Sequence, residues 1–147
     1  MHLEQNKLTA LPRSINKLKK RNTLILDFNQ ITELPNIAFR FGERTNLSIN
    51  SNRGEVLPEL ITESSNIYRL SLAYNPLRKL PEERGNLHQL RALIRANKEG
   101  EELPKSFYDL HRLIELDRRG TNLSRAQVEE VKEKLPNCKI WSDYDLI

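Results

Sequence analysis

Residues 24–35 read LILDFNQITELP and residues 70–81 read LSLAYNPLRKLP, so one pattern occurs twice in the chain. Within it, apolar residues alternate as at Leu24 and Leu26, which is typical of a short strand with one buried face. The pattern recurs every 23 residues, in Leu-Pro pairs that begin at Leu11, Leu34, Leu57, Leu80 and Leu103 and in the asparagines Asn6, Asn29, Asn52 and Asn75. A fixed period of about 20 to 50 residues indicates a repeat array.

One short unit cannot bury its apolar face by itself. Successive units are therefore expected to stack, strand beside strand, into a parallel sheet. The asparagine follows the strand at a sharp turn, where an inward amide can bond backbone groups and carry those bonds to the next coil. The proline fixes φ and lacks an N–H, so it suits the start of the return segment.

The two quoted segments resemble the leucine-rich repeat family in its 23-residue form, LxxLxLxxNxLxxLPxxIxxLxx. The resemblance implies an α/β fold, a leucine-rich repeat solenoid with a curved parallel sheet on its concave side and helical or irregular segments on its convex side. We predict leucine-rich repeats over residues 1–123, in about five units of which the first is incomplete, and a C-terminal cap and tail over residues 124–147.

The two ends of the array differ in sequence. Ser124 and Gln127 have capping-box spacing, so a capping helix is expected to begin there, followed by an edge strand at residues 138–141. At the other end, Met1 already falls at the fourth position of the repeat and Leu3 at the sixth. This predicts an open core and an unpaired strand edge, either because the chain is a piece of a longer array or because it self-associates through this edge.

Composition excludes several classes of protein. The 147 residues carry a net charge of only +4 with interleaved signs, which predicts neither a nucleic-acid nor a membrane partner. The single cysteine, Cys138, excludes an intrachain disulfide and a Cys-rich zinc site. The sequence shows no signal peptide or transmembrane segment, so we predict a cytoplasmic location.

The sequence also lacks the residue sets that enzymes use. Cys138 has no accompanying Cys/His or Ser/His/Asp arrangement, and no phosphate loop or metal-ligand spacing interrupts the repeats. We therefore predict no catalytic residues, no metal site and no cofactor.

Arginine occupies five positions that the repeat reserves for buried leucine or isoleucine, namely Arg21, Arg44, Arg84, Arg95 and Arg118. Arg95 and Arg118 fall at the inward sixth position of successive units, so two unpaired guanidinium groups there would cost several kcal/mol each. Three explanations are open: the arginines pair with acids (Glu101, Glu102, Glu115 or Asp117) or reach solvent, the fourth and fifth units are reshaped, or the sequence is altered.

Side chains between the buried leucines are expected to point outward on the concave face. The predicted partner-binding residues are Ile25, Asp27, Phe28, Ser48, Asn50, Arg69, Ser71, Tyr74, Ile94 and Asp117. Phe28, Arg69 and Tyr74 are of the types that anchor protein interfaces, and Asp27, Asn50 and Asp117 would act as polar selectors. A second interpretation of Phe28 and Tyr74 is that they shield the turn beside the asparagine.

These observations predict a non-catalytic protein-protein interaction module that binds a protein partner through the concave strand face. The alternative is a designed, truncated or altered repeat fragment with a structural role and no partner of its own. On this alternative, restoring leucine at Arg95 and Arg118 should raise the melting temperature by many degrees, and an unchanged melting temperature would count against it.

Overall fold

The computed structural model describes residues 1–18, 22–35, 43–58, 61, 63–78, 87–96 and 103–146. Within these residues six parallel strands form one sheet in chain order: β1 (Thr23–Ile25), β2 (Thr45–Ser48), β3 (Ile67–Ser71), β4 (Ala92–Ile94), β5 (Glu115–Asp117) and β6 (Lys139–Trp141). Other elements within the described residues are 3-10 helices at Arg13–Lys17, Lys105–Asp109 and Asp143–Leu146, and the α-helix α1 (Arg125–Lys134). The predicted array of coils, with one strand each, is confirmed. None of these helices has the length and apolar character needed to cross a bilayer.

The alternating leucines form the core, as predicted. Leu24 pairs in register with Leu47, and the same repeat position continues through β3, β4 and β5 to Ile140 in β6. Side chains from Leu11 to Ile140 form one buried cluster. Because each coil shares this cluster with its neighbours, the coils are stabilised by stacking.

The asparagines join the coils, though in the direction opposite to the one predicted. Asn29 Nδ2 donates to the Leu3 carbonyl at 2.9 Å, and its Oδ1 accepts from the Leu8 N–H at 3.0 Å. Asn52 makes the equivalent two bonds to the coil that contains Asn29. Each amide thus reaches the preceding coil and satisfies backbone groups that are shielded from water.

Residues 1–5 continue the sheet beyond β1. His2 forms a parallel bridge with Ile25, and the Gln5 N–H donates to the Asp27 carbonyl at 2.9 Å. The edge of the described sheet therefore lies along residues 1–5. Met1 and Leu3 pack against the core and stay half-buried.

The C-terminal cap forms as predicted. Ser124 Oγ accepts from the Gln127 N–H, and the Gln127 side chain accepts from the Ser124 N–H at 2.8 Å. This capping box begins α1, which buries Val128 and Val131 against the last repeat. β6 then pairs with β5, so the cap closes the core at this end.

Arg44 does not enter the core, although it stands at a repeat position reserved for a buried leucine or isoleucine. Thr45 pairs with Ile67, and the following residue of β2 pairs two residues further along β3, which leaves Tyr68 as an extra residue in a β-bulge. Thr45 is completely buried in the place expected for Arg44, whereas Arg44 is exposed. A one-residue slip at the strand start thus keeps a charge out of the core.

Arg95 and Arg118 are buried, being 2% and 1% exposed. Of the open explanations, this burial excludes for these two arginines the one in which they reach solvent. Arg95 Nη2 donates to the Leu77 carbonyl of the preceding coil at 2.9 Å, and β4 and β5 keep their parallel register around both arginines. Arg21, Arg84, Glu101 and Glu102 lie outside the described residues.

Candidate binding face

We define the strand face as the side chains that alternate with the buried leucines along β1 to β5 and in the turns that follow. The ten predicted partner-binding residues all belong to it. Phe28, Arg69 and Tyr74 are exposed, and Ser71 is buried. The other six are partly exposed: Ile25, Asp27, Ser48, Asn50, Ile94 and Asp117. Ser71 thus offers a partner little surface.

Phe28 and Tyr74 are large aromatic side chains in an unusual backbone conformation. Phe28 is 59% exposed and Tyr74 is 71% exposed. Both occupy the same repeat position with φ of 56° and 58°, in the left-handed region, as do Gln5, Ser51 and Gly120 at that position. Glycine or asparagine suits this conformation better than an aromatic residue, so both strain and exposure oppose an aromatic residue here.

The small polar residues of the strand face bond to one another. Asp27 Oδ1 accepts from Ser48 Oγ at 2.7 Å and from the Asn50 N–H at 2.8 Å. Asn50 Oδ1 in turn accepts from Ser71 Oγ and from the Ala73 N–H, each at 2.8 Å. This ladder crosses three coils and uses much of the hydrogen-bonding capacity of Asp27 and Asn50, the two predicted selectors.

Two ion pairs cross the other half of the strand face. Arg69 Nη1 lies 3.3 Å from Glu115 Oε2, across the strand between them. Arg119 holds the Asp117 carboxylate through Nε at 2.9 Å and Nη2 at 2.6 Å, and these bonds lower the pKa of Asp117. Glu115 and Asp117, two of the four acids that the sequence offered to the buried arginines, therefore bind exposed arginines of the strand face.

A shallow groove of about 860 Å³ lies between Tyr74 and the Asp117–Arg119 pair. Its lining includes Ala73 and Ala96, which replace larger side chains at their repeat position. Arg119 also lies over the ring of Trp141, at 5.7 Å from its centre. Trp141 was not among the predicted site residues, although the strand alternation carried on into the cap could have found it.

The described residues include no group of three His, Cys, Asp or Glu side chains placed to hold a metal ion. Cys138 is buried, and this burial together with the charge of Glu115 raises the pKa of its thiol to about 11. A protonated, buried thiol packs as a small apolar group.

The architecture is matched by a solved structure of a leucine-rich repeat protein from Leptospira interrogans, with a TM-score of 0.70 and 25% sequence identity. The match covers 95% of this chain and 42% of that protein. No protein-family model matches the chain, and no curated protein matches it. Together with the parallel sheet of 23-residue coils, the match identifies the fold as that of a leucine-rich repeat protein, a class in which stacked coils offer an extended binding surface.

Proposed function

We propose that this protein is a non-catalytic module that binds a protein partner through the strand face, with Phe28, Tyr74 and Arg69 as anchors. The observation that carries the proposal is the pair of exposed aromatic side chains in the left-handed conformation. Residues retained in a costly conformation point to a function outside the folded chain. Aromatic and arginine side chains supply most of the binding energy at protein interfaces.

The arrangement supports a two-point contact. Phe28 and Tyr74 occupy equivalent positions two coils apart, so their Cα atoms are about 10 Å apart across the sheet. Ser51 lies at the intervening position, and the groove with its alanine floor begins beside Tyr74. A partner can place one bulky side chain in the groove while its neighbouring residues pack on Phe28. We propose that this contact occurs in the cytoplasm.

Site-specific cross-linking tests this proposal. A photoreactive phenylalanine analogue is placed at Phe28 or Tyr74, and the chain is expressed and irradiated in its host cells. We expect a discrete covalent adduct from each position. Tyr144, which is 50% exposed in the 3-10 helix after β6, provides a matched aromatic control position that does not belong to the strand face. Adducts from Tyr144 together with none from Phe28 or Tyr74 would contradict the proposal.

The partner recovered from the adduct then allows a quantitative test. Replacing Phe28 and Tyr74 by alanine should weaken its binding by about a hundredfold, because two anchors each contribute about 1 to 2 kcal/mol. Tyr144→Ala should leave the affinity unchanged. Equal affinities for all three proteins would show that the partner binds elsewhere.

A further inference from the structure

A second cluster lies where the strands begin, at the opposite end of β3 from Tyr74. The ring of Tyr68 is contacted by two guanidinium groups, with Arg44 Cζ at 5.5 Å and Arg91 Cζ at 5.8 Å from its centre. Arg44 precedes β2 and Arg91 precedes β4, so they reach Tyr68 from the strands on either side of β3. We refer to Arg44, Tyr68 and Arg91 as the arginine pair on Tyr68.

The β-bulge creates this cluster. It excludes Arg44 from the core and inserts Tyr68 as the extra residue of β3. On the other side, the Arg91 N–H donates to the Tyr68 carbonyl at 2.9 Å. Contact with an aromatic ring restricts a guanidinium group while leaving its N–H donors free to bind a ligand.

The positive charge of the cluster is not neutralised by the described residues. Within the described ranges, no carboxylate forms an ion pair with Arg44 or Arg91, whereas the adjacent Arg69 is paired with Glu115. Both Arg44 and Arg91 are exposed. Two exposed guanidinium groups that contact one ring and have no counter-ion among the described residues attract a ligand with more than one carboxylate or phosphate.

We propose that the arginine pair on Tyr68 binds an acidic segment of a polypeptide. The inference rests on the proposed function, since it assigns negative charge to the part of the protein partner that lies over the strand starts. Carboxylates match the planar fork of arginine and can be bound by two parallel hydrogen bonds. A nucleic acid is less suited to this surface, because a continuous phosphate backbone would extend beyond the two arginines, and the nearby Arg69 and Arg119 are already paired with Glu115 and Asp117.

Fluorescence anisotropy with a labelled oligoglutamate peptide tests the proposal on the full chain. The Arg44→Gln, Arg91→Gln double variant should weaken peptide binding by about tenfold, because it removes two charge-assisted contacts. The matched control is Arg53→Gln with Arg125→Gln, which makes the same change in net charge at exposed arginines away from Tyr68. It should weaken binding by less than about twofold, since it removes only long-range attraction. Circular dichroism checks that each variant is folded.

The ring itself is tested separately. Tyr68→Phe should bind the peptide like the unmodified protein, and Tyr68→Leu should weaken binding by about threefold, because only the ring orients the arginines. Absence of peptide binding, or equal losses in the two double variants, would overturn the proposal. Tighter binding of a single-stranded DNA of equal charge, with the same dependence on Arg44 and Arg91, would also overturn it and assign the cluster to phosphate.

Failure of the acidic-segment site can be distinguished from failure of the proposed function. Phe28→Ala with Tyr74→Ala should leave oligoglutamate binding unchanged, because these residues lie at the other end of the strands. Peptide binding without a cross-linked partner at Tyr74 would support the acidic-segment site and contradict the aromatic anchors. The reverse result would support the anchors and contradict the acidic-segment site.

Discussion

At the scale of single residues, Arg44 is exposed and Arg95 is buried, although both stand at repeat positions that usually hold leucine. Arg44 stands at a strand start, where the chain can slip by one residue, and Thr45 fills the core instead. Arg95 stands inside a coil whose strand pairs on both sides. A slip there would move the alternating leucines to the wrong face, so the arginine stays buried and donates to the Leu77 carbonyl.

The two units with a buried arginine also lack the asparagine of the repeat. The units that contain Arg95 and Arg118 have Lys98 and Thr121 where earlier units have asparagine. Thr121 Oγ1 donates to the Arg118 carbonyl at 2.6 Å, and Arg95 reaches the preceding coil. Other polar side chains thus form part of the hydrogen bonding that asparagine provides elsewhere.

Arg95→Leu should raise the free energy of unfolding by about 1 to 3 kcal/mol, because replacing a buried charge with an apolar side chain removes a desolvation penalty. Loss of the bond to the Leu77 carbonyl offsets part of this gain. Urea denaturation followed by circular dichroism measures the change, with the exposed Arg125→Leu as control. A less stable Arg95→Leu protein would mean that the arginine has become essential to the fold.

Tyr74→Asn should leave the free energy of unfolding unchanged or raise it by up to about 1 kcal/mol. Asparagine tolerates the left-handed conformation, and the tyrosine ring is mostly exposed. Thermal denaturation checks this result, with Gln5→Asn as the control at the same repeat position. A loss of stability greater than about 1 kcal/mol would favour the shielding role of Tyr74 over its role as an anchor.

At the scale of the elements, the third coil contains a packing defect. Gly54 replaces the usual leucine of its repeat position, and a small apolar cavity of about 20 Å³ lies beside it, lined in part by Ile31, Leu57 and Leu77. A Cβ at Gly54 would meet the Thr32 carbonyl oxygen at 3.4 Å, an ordinary contact. The backbone here therefore accepts a side chain.

Gly54→Ala should stabilise the protein by about 0.4 to 1 kcal/mol, because alanine restricts the unfolded chain without strain in the folded one. Gly120→Ala is the contrasting variant, since Gly120 has φ of 70° and alanine there should be destabilising. Chemical denaturation measures the change in the free energy of unfolding for each of the two variants. A destabilised Gly54→Ala protein would mean that the Thr32 carbonyl oxygen leaves too little room for the methyl group.

The capping box at the start of α1 makes its own contribution to the stability of the fold. Ser124→Ala should lower the free energy of unfolding by about 1 kcal/mol, because the Gln127 N–H loses its acceptor. Ser14→Ala, at an exposed position in a 3-10 helix whose N-cap position is occupied by Pro12, serves as a comparison. Equal effects of both substitutions on the melting temperature would contradict a specific role for the cap.

At the scale of the whole molecule, alkaline pH should weaken the fold. Burial raises the pKa of Cys138 to about 11 from 9.0, and burial with a hydrogen bond to Glu130 raises the pKa of Tyr108 to about 12 from 10.0. For an acid whose pKa is raised by folding, the stabilising contribution is complete below the unfolded pKa and is lost as pH rises towards the folded value. Stability should therefore fall above about pH 9.

Denaturant titrations between about pH 8 and pH 11 measure this loss. Cys138→Ala removes one of the two groups, so its stability should fall less steeply between about pH 9 and pH 11 than that of the unmodified protein. The variant is compared with itself at neutral pH, which separates the cost of the lost side chain from the pH effect. If the free energy of unfolding depended on pH identically in the two proteins, Cys138 would not contribute to the loss of stability at alkaline pH.

Sequence by itself determined the repeat, the core and the cap. A strict period of 23 residues with alternating leucines places Leu24 and Leu47 in one register, and Ser124 with Gln127 defines the start of α1. These features are local or periodic, so one-dimensional spacing contains the necessary information. The outward position of Phe28 and Tyr74 followed from the same alternation.

Tertiary structure alone decided the features that depend on neighbouring coils. The bulge at Tyr68, the Asp27 and Asn50 ladder and the partners of Arg95 involve residues that are far apart in sequence. Whether a misplaced charge is excluded or buried depends on how much freedom the adjacent strands leave the chain. The spacing of residues within one unit contains no information about this freedom, because the freedom is set only when the coils stack on one another.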